Sequence, residues 1–98
     1  MTTALSEAEI KAGLAELDGW SRDGDALVKE FRFDDYLAGL AFASSVGVIA
    51  EGLDHHPDLN IGWRRVAVSF TTHDAGNKLT AKDFAAAKAI DALGYPRS

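Results

Sequence analysis

The sequence contains no cysteine, which excludes disulfides and thiolate metal sites and agrees with a reducing compartment. It has no basic run longer than Arg64-Arg65, and its formal charge is -5. An acidic surface repels a phosphate backbone, so direct nucleic-acid binding is not expected. No basic n-region or apolar h-region follows Met1-Thr2-Thr3-Ala4-Leu5, so no signal peptide is expected. The longest weakly polar stretch, Tyr36 to Ala50, is too short and too rich in Ser and Gly to span a bilayer. A cytoplasmic protein with no membrane partner is the expectation. No repeat of solenoid-like period is visible.

What is present is an ordinary globular balance, 47% apolar and 26% charged over 98 residues, which fits one domain spanning 1–98. A domain this small buries only about 60–70% of the surface its unfolded chain exposes, so self-association would help it.

Ser6-Glu7-Ala8-Glu9 has the form of a capping box, followed by Ile10, Leu14 and Leu17 at helical spacing and a stop at Asp18-Gly19. Trp20 to Arg22 and Ala26 to Phe33 read as strands around the turn residues Asp23-Gly24-Asp25. Leu27, Phe31 and Phe33 share one face of the second strand with Lys29, which predicts burial along only part of its length. Asp34 and Asp35 are candidate caps for a second helix from Tyr36 to Leu53. Its stripe through Leu37, Leu40, Ala41 and Ser44 faces one way. Phe42, Val46, Val48 and Ile49 make it apolar on much of its circumference, which points to contact with another subunit. Pro57 disfavours helical geometry at His56 and is expected to end this helix near the histidine pair.

Leu59 to Ile61 and Val66 to Thr72 read as two further strands joined by Gly62-Trp63-Arg64-Arg65, with Val66, Val68 and Phe70 inward. Thr80-Ala81-Lys82-Asp83 is a second capping-box candidate, opening a helix through Phe84, Ala87, Ile90 and Leu93, with Gly94 and Pro96 past its end. The order α-β-β-α-β-β-α predicts an α+β fold: a four-stranded antiparallel sheet with three helices packed on one face.

A hairpin turning about Trp63-Arg64 pairs positions that sum to roughly 127, which sets His73 opposite residue 54. All three histidines of the chain, His55, His56 and His73, then converge. Imidazole titrates near neutrality, so such a cluster suits general acid–base work, and three imidazoles are not all charged cheaply together. Glu51 and Asp54 lie within a turn of the pair and are candidates to orient an imidazole. Asp83 is first a capping acid, with a second role in steering His73 open to it. Surface or capping roles for the histidines stay open at this stage. A zinc site is the weaker alternative, because helical ligands commonly stand at i, i+4 rather than adjacent. Arg64-Arg65 reads as a solvated turn.

The segments Glu51-Gly-Leu-Asp54-His55-His56-Pro57-Asp58, Val66, Thr71-Thr72-His73 and Leu79-Thr80-Ala81-Lys82-Asp83 resemble the signature of the pterin-4a-carbinolamine dehydratase family. The resemblance runs from Glu51 to Asp83, and the element order outside it also fits. It implies the α+β fold described above, assembly as a homodimer or homotetramer, and loss of water from a 4a-hydroxytetrahydropterin without metal or other cofactor. By position it makes His55, His56 and His73 the acid–base and pterin-contacting residues. Pro57 and the stretch Thr72, His73, Asp74 and Ala75 would line the pocket. Two features depart from the family pattern. Leu59 stands where an aromatic residue is common, and Asp74 to Lys78 is one residue longer than the usual Gly-Gly-Leu-Thr form. The competing implication is a non-catalytic dimerisation cofactor or assembly factor on the same fold, a role the apolar second helix would also serve.

Overall fold

The computed structural model describes residues 3–95, so Pro96 and the first two residues lie outside it. Helix α1, Glu7–Ala15, starts as its sequence requires: Ser6 accepts from the Glu9 N–H, and the Glu9 carboxylate accepts from the Ser6 N–H at 2.8 Å. That bond to the Ser6 backbone, ahead of the one to its side chain, holds the Glu9 carboxyl below its ordinary range. The helix closes earlier than Asp18-Gly19, because Glu16 and Leu17 already donate to i−3 carbonyls and tighten the last turn.

β1, Ser21–Asp23, and β2, Ala26–Arg32, form a hairpin whose first central residue, Gly24, has φ 60, a conformation that glycine adopts without strain. Trp20 falls just before β1 and is buried. Lys29 explains how an inward-facing cation is tolerated on β2. Its stem crosses the core edge while Nζ lies 4.8 Å from the Phe31 ring centre and donates to Asp18 O and Asp91 Oδ1.

α2, Tyr36–Leu53, is capped by Asp35, whose Oδ1 accepts from the Ala38 N–H at 2.7 Å; Asp34 plays no part in the cap. The face turned to the sheet carries Gly39, Phe42, Ala43, Val46 and Ala50. The stripe of Leu37, Ala41 and Ser44 is exposed instead. At 18 residues α2 is, by length and composition, as long and apolar as a membrane span, contrary to the expectation from Tyr36 to Ala50. Its inner face is nevertheless a core face of the globule.

Pro57 is not what stops α2. The helix ends at Leu53 because Asp54 adopts the left-handed conformation, φ 53, and the Asp54 and His55 N–H groups donate back to Glu51 O and Ala50 O. This is a Schellman closure, and aspartate is among the non-glycine residues that enter that region most readily.

β3, Asp58–Ile61, and β4, Arg65–Phe70, pair in the register Asp58↔Ser69 to Ile61↔Val66, as the sum of 127 requires. β4 also pairs with β2, from Leu27↔Phe70 to Arg32↔Arg65, so the antiparallel sheet runs β1-β2-β4-β3. Central β4 alternates strictly, with Val66, Val68 and Phe70 fully buried beneath the helices. Burying each such side chain contributes about 1.5–3 kcal/mol. α3, Ala81–Asp91, begins at the expected Thr80/Asp83 capping box and buries Phe84, Ala87 and Ile90. It ends before Leu93, which is 39% exposed.

Candidate active site

Three chain segments meet at one end of the sheet: the C-terminus of α2, the exit of β4 and the first turn of α3. The Schellman closure releases the chain in extended form, so His55 and His56 point to different sides. His55 turns inward, with its side chain 10% exposed and its ring stacked 5.7 Å from that of Phe70. His56 turns outward and is 57% exposed. His73 arrives from β4. The ladder stops at Asp58↔Ser69, and residues 72–78 then form a closed loop in which Thr72 N–H donates to Lys78 O. Thr72 O accepts from the N–H groups of Ala75 and Asn77, and His73–Ala75 make a single 3-10 turn. Lys78 Nζ ties this loop to Asp25 at 3.0 Å.

Beneath His55 lies a buried polar network. The Asp83 side chain is fully buried, and its Oδ1 is 2.6 Å from His55 Nε2. Oδ2 accepts from Thr72 Oγ1 at 2.8 Å and from the Thr80 N–H at 2.9 Å. Thr72 has one hydroxyl proton and gives it to Asp83, so the 2.7 Å contact between Thr72 Oγ1 and Thr80 Oγ1 runs with Thr80 donating. Thr80 Oγ1 in turn accepts from the Lys82 N–H. Every polar atom of the group has a partner, the condition on which a buried charge is tolerated.

An ionised carboxylate offers only acceptors, so the imidazole nitrogen facing it carries a proton. That rule sets His55 Nε2 as a donor to Asp83 and His56 Nε2 as a donor to Glu51 Oε1, 2.6 Å away. His73 is anchored through its other nitrogen: Nδ1 lies 2.7 Å from Asn77 Oδ1, also an acceptor. Among the described residues the remaining nitrogen of each ring has no protein partner. Among the described residues no buried side-chain nitrogen is left unpaired, so His55 Nδ1, on a side chain that is 10% exposed, reaches solvent.

The cleft in front of these rings has a volume of about 270 Å³ and is lined by Asp54, His55, His56, Thr72, His73, Asp74 and Lys82. The three histidines, Asp54, Thr72 and Asp74 of the sequence reading are therefore brought together, with Glu51 at the rim. Pro57 and Ala75 do not line the cleft; Pro57 lies in the segment between α2 and β3, and Ala75 in the 3-10 turn after β4. Asp83 serves His55 rather than His73. Asp54 acts through its backbone, and among the described residues no hydrogen bond joins its carboxylate to an imidazole. The Thr72 hydroxyl is committed to Asp83. Lys82 and the Asn77 amide escaped the sequence reading. Asn77 carried one signal, a residue tolerant of φ > 0 beside Gly76, and both are left-handed here. A larger cleft of about 620 Å³ lies beside the β3–β4 turn, lined by Arg32, Phe33, Asp34, Trp63, Arg64 and Arg65, and it holds no histidine.

A histidine-lined cleft at the end of a four-stranded antiparallel sheet, backed by a buried carboxylate, defines a class: a small α+β protein equipped for proton transfer. Comparison with known proteins makes the class specific. The sequence profile of the pterin 4 alpha carbinolamine dehydratase family matches residues 3–93, and the chain belongs to that family. A Roseiflexus sp. (strain RS-1) protein provisionally named pterin-4-alpha-carbinolamine dehydratase is 46% identical over 93 residues, covering 95% of this chain and 99% of the relative. A Natronomonas pharaonis protein of the same provisional name is 47% identical over 93 residues, covering 95% and 98%. Among solved structures, the transcriptional coactivator/pterin dehydratase of Brucella melitensis superposes with a TM-score of 0.85 at 33% identity, over 92% of this chain and 97% of that one. A pterin dehydratase-like protein identified as a RuBisCO assembly factor in the alpha-carboxysome superposes with a TM-score of 0.65 at 26% identity, over 80% and 92%. The fold is thus the α+β fold of the pterin dehydratases.

Proposed function

We propose that residues 1–98 form one dehydratase domain that removes water from 4a-hydroxytetrahydrobiopterin, giving the quinonoid dihydropterin in tetrahydrobiopterin recycling. The observation that carries this reading is the cleft with three imidazoles, each anchored through one nitrogen and open at the other. The reaction breaks the C4a–O bond, forms the C4a=N5 double bond, and moves two protons: one to the departing hydroxyl, one from N5. One imidazole that gives a proton and another that takes one serve such an exchange, and each acid–base contact contributes typically 10²–10⁴-fold. Asp83 stands where positive charge developing on His55 is compensated, in the manner of a carboxylate behind a catalytic imidazole. Asp74 and Lys82 supply polar groups at the pocket wall, and the reading needs no metal or other cofactor.

The test is dehydration of a 4a-hydroxytetrahydropterin generated in situ by an aromatic hydroxylase. The wild type should accelerate it, and His55→Ala and His73→Ala should each lower kcat by at least about 100-fold. His56→Ala, whose ring is exposed, should weaken KM more than kcat. An inactive wild type, or variants with unchanged rates, would sink the assignment.

A second reading, a non-catalytic dimerisation cofactor or assembly factor, draws on the two structural neighbours, a transcriptional coactivator/pterin dehydratase and a RuBisCO assembly factor, and on the exposed apolar face of α2. Retention of all three histidines with their anchors favours the enzyme. The same face supports a homodimer or homotetramer, the acidic charge argues against nucleic-acid binding, and the protein is read as cytoplasmic with no membrane partner.

A further inference from the structure

The three histidines are not anchored alike. His55 and His56 each face a carboxylate, whereas His73 faces the neutral side-chain amide of Asn77 across 2.7 Å. We propose that Asn77 is a positioning residue for the cleft: it locks His73 in the Nδ1–H tautomer and aims the bare Nε2 lone pair at the substrate. This rests on the dehydratase reading and deepens it, because it assigns His73 the proton-accepting role.

The backbone is built to hold the amide in that place. Asn77 sits at φ 61, the left-handed region, directly after Gly76 at φ 72. Its N–H donates to Thr72 O at 3.1 Å, and the next residue closes the loop through the Thr72 N–H to Lys78 O bond. Two consecutive left-handed residues reverse the chain so that residue 77 comes back beside residue 73. Asparagine is among the few side chains that combine tolerance of this conformation with an acceptor oxygen. A glycine would satisfy the same backbone at lower strain and leave Nδ1 with no protein partner. The turn alone would be served by glycine, and the amide adds the acceptor that the imidazole uses.

Chemically, the amide oxygen accepts the Nδ1 proton and brings no charge, so the neutral ring presents Nε2 as an acceptor. Carboxylate partners behind His55 and His56 instead compensate a positive ring. The cleft groups that face His73 from the other elements are His55, His56 and Asp54 from the end of α2 and Lys82 from α3, with Asp74 adjacent in its own turn.

The experiment uses the full chain with ¹⁵N-labelled histidine and the variants Asn77→Gly and Asn77→Asp. Both residues accept a left-handed backbone, so both variants fold. At about pH 9, where an ordinary imidazole is neutral, two-bond ¹H–¹⁵N correlation spectra report which ring nitrogen carries the proton. Wild type and Asn77→Asp should show His73 solely as Nδ1–H, and Asn77→Gly should show a mixture with the Nε2–H form. Kinetically, at the same pH, where the ring is neutral with either partner, Asn77→Gly should lower kcat about tenfold with KM within about twofold, and Asn77→Asp should restore most of the rate, as for partners that orient an imidazole. An unchanged tautomer in Asn77→Gly, a kcat within about twofold of wild type, or an equal loss in Asn77→Asp overturns the proposal. A wild type with no dehydratase activity overturns the dehydratase reading instead, and the tautomer spectra still decide whether Asn77 positions His73.

Discussion

Replacing Thr72 with valine keeps the side-chain shape and removes one oxygen, at the centre of the buried network. In the native protein Thr72 Oγ1 donates to Asp83 Oδ2 and accepts from Thr80 Oγ1, and all three residues are at most 2% exposed. The valine therefore deletes a hydrogen bond to a charged acceptor, about 1.5–3 kcal/mol, and strands the Thr80 hydroxyl proton, about 1–3 kcal/mol more. A total of roughly 2.5–6 kcal/mol is a large fraction of the ~5–15 kcal/mol that a domain of this kind possesses. Thr80→Val makes the informative comparison. It removes the donor rather than stranding it, so Asp83 keeps its bond from Thr72. The loss is the cap contact to Lys82 N–H and one neutral hydrogen bond, about 1–2 kcal/mol. Urea unfolding followed by circular dichroism measures both, and with a slope of about 1–2 kcal/mol/M the Thr72→Val midpoint should fall by at least about 1.2 M. Equal losses in the two variants, or a larger one in Thr80→Val, would show that the assigned direction of the hydrogen-bond chain is wrong.

Gly13→Ala puts a Cβ 2.7 Å from Cε1 of the Phe84 ring, closer than packing allows. Although alanine favours a helix by about 1 kcal/mol, overpacking of about 1–3 kcal/mol should leave the thermal midpoint lower, and a raised midpoint would contradict the α1–α3 packing. On α2, Leu37, Ala41, Ser44 and Val48 follow a 4-3-4 spacing along one exposed seam, with Leu37 74% and Val48 71% exposed. The double variant Leu37→Glu, Val48→Glu should convert an oligomer to monomer in sedimentation at micromolar concentration, removing about 3–6 kcal/mol of apolar burial per protomer. A wild type that is itself monomeric there would refute the use of this face between copies.

Much of the architecture was legible because it depends on neighbours in sequence. Ser6/Glu9 and Thr80/Asp83 announce helix starts through contacts three residues apart, Val66, Val68 and Phe70 declare a half-buried strand by period two, and the β3–β4 hairpin sets the register that carries the chain toward His73. The stop of α2 was misplaced because two signals overlap there. Pro57 restricts His56, but the left-handed Asp54 acts three residues earlier, and aspartate marks that conformation only weakly. The convergence of His55, His56 and His73 was likewise contained in the sequence, since a helix end and one short hairpin suffice to bring them to a common corner.

Their partners were not. Whether Asp83 serves His55 or His73 depends on how the first turn of α3 rotates against β4, a packing outcome between segments far apart in the chain. The same holds for Lys29, which looked misplaced on an apolar face until Asp18 and Asp91 closed over it. Local spacing determined which imidazoles meet at the cleft. Tertiary packing alone decided which nitrogen of His55 is held against a buried carboxylate and which is left facing the cleft, because that choice is made by contacts across the core.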